Sequence, residues 1–292
     1  MPLPRRPALL VIGFGDVAAR VVRLLAGRWR VLGLVRDPSR VAELRAAGVV
    51  PLLGDLDRPA TLPRLADLAD RVLHLAPPPA TGTHDPRTAA LLAALGRTRR
   101  VGRLVYVSTT GVYGDRGGAW VDETATVRPS TDRARRRVDA ERQIRAWARR
   151  HGVRETVLRS PGIWAFDRAQ GDPRGRIRRG EPSLVAADDV VVNHVHADDL
   201  ARACVLALMR GPAPRTINAV DDDPRPLGER ADDIADQLGL PRPPRVDRAE
   251  AERVLAPARL SFLAESRRVA NGRLKRELRL RLRHPVTVVP PE

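Results

Sequence analysis

The apolar run Ala8 to Ile12 halts at Gly13-Phe14-Gly15, resumes at helical spacing (Val17, Val21, Leu24, Leu25), and is followed by a second apolar run, Val31 to Val35. This order predicts strand, tight turn, helix, strand: the opening β-α-β unit of a dinucleotide-binding fold. Gly13, Gly15 and Ala18 fill the G-x-G-x-x-G/A pattern. The first glycine permits the turn, the second lets backbone approach a pyrophosphate, and the small third residue allows helix to pack on strand. Free N–H groups at the helix start then face the phosphates. The expected cradle is Gly13, Phe14, Gly15, Asp16 and Val17, with Arg20 one helical turn on to neutralise Asp16.

The end of the second strand separates NAD from NADP. A carboxylate there suits a free ribose hydroxyl, and an arginine suits a 2′-phosphate. Arg36 follows the strand directly, then Asp37 and Pro38, with Arg40 one turn later. Arg36 facing the ribose favours NADP; Asp37 making that contact is the alternative that leaves NAD possible.

Strand and helix patterns continue to alternate. Val49 to Leu53 reads as a strand, Leu62 to Leu68 as a helix, Arg71 to Ala76 as a strand, Thr88 to Leu95 as a helix and Leu104 to Val107 as a strand. A long helix over Asp132 to Arg150 and a strand over Thr156 to Arg159 follow. Repeats of this length mean an α/β, Rossmann-like doubly wound parallel sheet. Past Pro161 the regularity breaks. Val190 to Val195 and Arg215 to Val220 read as strands around a helix capped by Asp198, and helices are expected near 229–238, 248–255 and 267–278. The expected layout is a cofactor domain over 1–165 to which 190–220 returns, and a smaller substrate-binding lid over 166–189 and 221–292.

Bulk numbers narrow the class. With 43% hydrophobic and 30% charged residues the chain reads as globular. No apolar run nears the roughly 20 residues that span a bilayer, so no membrane role is expected. Cys204 is the only cysteine, which excludes an intrachain disulfide and points to a reducing cytoplasm. The net charge is +17, and Lys275 is the only lysine. The arginines are spread over the whole chain and aromatics are scarce at 3%, which argues against a dedicated nucleic-acid surface.

Several segments together resemble the extended short-chain dehydrogenase/reductase superfamily, specifically bacterial proteins of NAD-dependent epimerase/dehydratase type. These are the glycine loop, Gly54-Asp55-Leu56, Val72 to Ala76, Val105 to Gly114, Ala140-Glu141, Leu158 to Ile163, Asn193 to Leu200 and Ser266 to Asn271. The resemblance implies that Asp55 and Leu56 hold the adenine and that Leu75, Ala76 and Pro77 line the path to the nicotinamide ribose. It further implies that Ser160, Pro161, Gly162 and Ile163 border the nicotinamide, that Ser108 also belongs to the cofactor site, and that homodimers are common. His74 reads as a packed core histidine, and His194 and His196 as core or cap residues without a third metal partner.

Members of this superfamily carry a serine or threonine, a tyrosine, and a lysine that lowers the phenol pKa so that the tyrosine can pass a proton. Thr109 takes the hydroxyl position. The tyrosine and lysine positions fall on Arg133 and Arg137, and the only tyrosines are Tyr106 and Tyr113, so no Tyr-x-x-x-Lys exists in this sequence. Arginine stays protonated and cannot shuttle a proton. The chain therefore looks like the atypical subgroup, with Arg137 kept for the nicotinamide ribose and Tyr113 the candidate substitute acid. Three readings stay open: an oxidoreductase or epimerase acting on an unidentified nucleotide sugar or carbonyl compound, a non-catalytic NADP(H) sensor or scaffold, and an RNA-associated protein on this fold.

Overall fold

A computed structural model describes residues 6–98, 100–169 and 171–285, so the extreme ends of both expected units, 1–5 and 286–292, lie outside it. Seven parallel strands form the central sheet: β1 (Ala8–Ile12), β2 (Arg30–Val35), β3 (Val50–Leu53), β4 (Arg71–His74), β5 (Arg103–Thr109), β6 (Arg154–Ser160) and β7 (Arg215–Asn218). Their order is β7-β6-β5-β4-β1-β2-β3. The chain winds outward from β1 to β3 and then restarts at β4 on the other side of β1. The gap between the carboxyl ends of β1 and β4 is thus the switch point where such sheets bind ligands.

Alternation along β1 decides the two cores. Leu9 and Val11 join a cluster with α1 (Asp16–Leu25), while Leu10 and Ile12 face the opposite layer. After α2 (Val41–Ala46), that opposite layer is built by α3 (Pro86–Leu95) and α4 (Asp132–His151). Thr131 starts α4 by accepting from the Ala134 N–H at 3.2 Å, and Gly152 ends it at φ +67°. On the first layer α5 (Ala197–Arg210) packs against α1.

Three expectations on local structure are corrected. The 62–68 helix is instead a pair of 3₁₀ turns, Pro59–Thr61 and Pro63–Leu65, because two prolines four residues apart leave no run of donors for an α-helix. The N-cap of α5 is His196, not Asp198, which sits in the first turn. The expected 267–278 helix shrinks to Gly272–Arg276, since Arg268–Val269 pairs as a strand with Trp120–Val121.

The segments outside the sheet gather over its carboxyl edge. His194–His196 pairs with Gly162–Trp164, Ser183–Leu184 pairs with Arg245–Val246, and α6 (Leu227–Gln237) packs on the short helix Arg174–Arg178. Among the described residues no helix is long and apolar enough to cross a membrane.

Candidate cofactor and substrate site

The glycine loop sits where the topology directs a ligand. Both Leu75 and Ala76 donate their N–H to the Ile12 carbonyl, at 2.7 and 2.9 Å, so the chain leaving β4 crosses directly over Gly13. Gly13 has φ +87°, and a Cβ on it would lie 2.4 Å from the Ala76 nitrogen. Its glycine is therefore demanded twice, by conformation and by contact. Gly15 is different: a Cβ there meets nothing within 4 Å. It occupies the N-cap of α1, and no side chain caps that helix. Open space beside an uncapped helix start is what a pyrophosphate needs.

Neither Phe14 nor Asp16 blocks this space. Phe14 is buried in the core and packs on Gly33. Asp16 is held by Arg20, whose Nε donates to both carboxylate oxygens at 3.1 Å. Arg20 also reaches Asp198 at 2.6 Å and Asp167 at 2.5 Å, and Arg168 lies 3.4 Å from Asp16. One buried guanidinium thus ties the glycine-loop helix to α5 and to the loop after β6. Val17 packs at the edge of the α1 cluster.

At the adenosine end Arg36 is exposed and makes no hydrogen bond or ion pair among the described residues. Asp37 is committed elsewhere, accepting from the Ser39 N–H at 2.9 Å to cap a 3₁₀ turn. Arg40 donates to the Phe14 carbonyl at 2.6 Å while pairing with Glu43. The two arginines therefore flank the loop, and the carboxylate between them is turned to its own backbone. Asp55 and Leu56 are half-buried, and Leu56 packs on the core. Arg87 bridges the Asp57 carboxylate at 2.6 Å to the carbonyls of Pro77 and Pro78, closing that side of the groove.

Between the sheet and the overlying segments lies a cavity of about 970 Å³, with Thr109, Arg133, Pro161, Gly162 and Ile163 on its wall. The first two come from the end of β5 and the first turn of α4. Arg133 stacks over the Phe262 ring at 4.6 Å, and burial lowers its pKa below the usual arginine value. Arg137, one turn later, donates to the Tyr106 hydroxyl at 2.9 Å and to the Val107 carbonyl at 3.1 Å.

A family model described as the NAD dependent epimerase/dehydratase family matches residues 9–219, from β1 to just beyond β7. The chain belongs to that family. A functionally unknown conserved protein from Silicibacter pomeroyi DSS is similar over 96% of this chain and 95% of its own, with a TM-score of 0.80 and 33% identity. UDP-glucuronic acid 4-epimerase from Bacillus cereus, solved in complex with NAD, shares the fold with a TM-score of 0.75 over 96% of this chain and 92% of its own, at 16% identity. The 2-alkyl-3-oxoalkanoate reductase of Shewanella oneidensis is 28% identical over 224 residues, 68% of this chain and 56% of that protein.

Not every expected residue of this epimerase/dehydratase family member reaches the site. Tyr113 does not: it is fully buried, its hydroxyl donates to Asn218 Oδ1 at 2.7 Å, and Arg159 stacks on its ring at 4.8 Å. Burial raises its pKa further, so it is no substitute acid. Tyr113→Phe is expected to cost about 1–2 kcal/mol of stability, by leaving Asn218 Oδ1 short of a donor, and to leave NADPH affinity unchanged. Urea unfolding and calorimetry read the two effects. The Ser108 side chain is buried in β5, and Ser160 is buried with its hydroxyl on the Pro161 carbonyl at 3.3 Å, so neither faces the cavity. Leu75 and Ala76 lie beside Gly13, and Pro77 is exposed beyond them.

His74 is buried against Thr88 Oγ1 at 3.0 Å, and burial drops its pKa to about 3. His196 acquires the partner that sequence spacing hid, with the His284 ring stacked on it at 3.6 Å and 23°. Together with Asp198 these present ligand atoms within 4.8 Å of one another. Rings so nearly parallel do not both aim an in-plane lone pair at one ion, and Asp198 is already held by Arg20. The cluster is a stacked helix cap.

Proposed function

We propose that this protein is an NADP(H)-linked oxidoreductase acting on a small carbonyl compound or its alcohol, held between the sheet and the lid. The observation that carries the reading is the uncapped start of α1 beside the open face of Gly15, with Asp167 and Arg168 linking that helix to the cavity wall. Gly13 to Val17 would hold the pyrophosphate, Arg36 and Arg40 the 2′-phosphate, and Asp55 and Leu56 the adenine. When bound, the dinucleotide supplies or accepts the hydride. Thr109 and Arg133 take the substrate oxygen. There the guanidinium charge of Arg133 and the Thr109 hydroxyl would orient that oxygen and stabilise negative charge developing on it. The reductase from Shewanella oneidensis supports a carbonyl substrate over a nucleotide sugar. Cys204 is buried on α5 with its thiol pushed up to about 12 by burial, and we place the protein in a reducing cytoplasm.

The test is NADPH consumption against a panel of oxo acids, aldehydes and nucleotide sugars. Thr109→Val is expected to lower kcat about 100-fold or more with NADPH affinity kept. Arg36→Glu is expected to weaken NADPH at least about tenfold and to leave NADH unchanged. A second reading, a cofactor sensor without turnover, is favoured by the burial of Tyr113 and the arginines at the proton-relay positions. NADPH binding with no consumption across the panel selects it.

A further inference from the structure

One end of the cavity carries more positive charge than its own carboxylates balance. Arg176, on the short helix Arg174–Arg178, lines the cavity, and its guanidinium makes no hydrogen bond or ion pair among the described residues. Arg259 lines the same cavity from another segment, its guanidinium 3.5 Å from Glu181, and its buried Nε has no hydrogen-bond partner among the described residues. Glu181 is shared, because Arg179 also lies 3.5 Å from it. Burial lowers the pKa of both Arg176 and Arg259, and the charge of Arg176 pushes Arg259 further, to about 10. Two partly desolvated like charges in the same cavity raise the energy of the empty site, and an anion between them relieves it.

Beside them stands His194, touching the position where a Gly162 Cβ would be at 3.2 Å. Burial, then Arg230, Arg176 and Arg259, hold its pKa well below the usual value, so it is a neutral imidazole whose buried Nδ1 has no partner. The cavity wall also carries an apolar set, Trp164, Phe166, Ile177, Leu227 and Ile234, alongside polar side chains such as Ser183, Asn193 and Ser261. A cationic end and an apolar body describe an amphipathic anion. A nucleoside diphosphate matches the charge too, but only an amphipathic acid also places an apolar body against the apolar set.

We propose that the cavity binds an organic acid with an apolar body, its carboxylate clamped between Arg176 and Arg259 next to His194. This names the substrate class for the oxidoreductase reading and rests on the same cavity, but it is tested by binding alone. Octanoate, its uncharged analogue octanamide, and UDP are titrated calorimetrically into the full chain, and NADPH is titrated separately. Octanoate is expected to bind at least about tenfold more tightly than octanamide. Arg176→Gln and Arg259→Gln are each expected to weaken octanoate about tenfold while octanamide binds as before, which reports an intact cavity. Silence toward octanoate, equal affinity for acid and amide, variants that leave octanoate untouched, or binding of UDP alone would each overturn the proposal. Octanoate binding without NADPH binding would uphold it and remove the cofactor reading instead.

Discussion

Gly13→Ala is expected to destabilise the protein by about 3–5 kcal/mol, whereas Gly15→Ala, two residues on, changes stability by no more than about 1 kcal/mol. At Gly13 the added methyl meets backbone, 2.4 Å from the Ala76 nitrogen, at φ +87°. Relieving the contact means moving the chain off β1 and breaking the two N–H bonds to the Ile12 carbonyl at the centre of the sheet. At Gly15 the backbone is extended, with φ −111°, and the methyl enters empty space. That space is where the pyrophosphate is placed, so Gly15→Ala is expected to lose at least about tenfold in NADPH affinity with its fold kept. Thermal unfolding and calorimetry on the two variants separate a structural glycine from a binding one. Equal NADPH affinity in wild type and Gly15→Ala contradicts the cradle.

Glu141→Gln is expected to cost a further large sum, about 3–5 kcal/mol at neutral pH, because it strands a buried charge. The Glu141 carboxylate is 1% exposed and accepts two bonds from Arg159, at 3.1 and 2.8 Å, and one from Arg145 at 2.9 Å. Arg159 in turn stacks on Tyr113, whose hydroxyl holds Asn218 of β7. The pair therefore joins α4, β6 and the outer strand. Burial raises the Glu141 pKa, and the Arg159 hydrogen bonds and charge, with Arg145, more than reverse this, leaving it below the ordinary glutamate value. A carboxyl lowered on folding stabilises above its unfolded pKa and loses that contribution as pH falls through the folded one. The gap between wild type and Glu141→Gln in urea unfolding should thus be full at pH 7 and shrink below the usual glutamate range near pH 4. A gap that does not narrow in acid contradicts the ion pair. Replacing Glu141 and Arg159 together by apolar residues of similar size should cost less than Glu141→Gln alone.

The parts of the molecule legible in the sequence are those set by neighbours in the chain. Apolar runs bounded by glycine and proline, and helical spacing between them, were enough for the seven parallel strands, the glycine loop and the long α4. The corrections concern elements decided by distant contacts. Val269, Leu274 and Leu278 are spaced like a helix face, yet Val269 and Arg268 are drawn into a strand by Trp120 and Val121. Thr109 and Tyr113 follow the same strand, and only the 3₁₀ turn between them sends one to the cavity and the other into the core. Arg176 and Arg259 line one cavity, yet about eighty residues separate them in the chain. His284 is hidden from His196 by the same kind of distance.

The most direct measurement is calorimetric titration of NAD, NADH, NADP and NADPH into the wild-type protein. Binding of both phosphorylated forms near micromolar, and at least about tenfold more tightly than their unphosphorylated counterparts, is the expected result. No heat with any of the four would contradict the account.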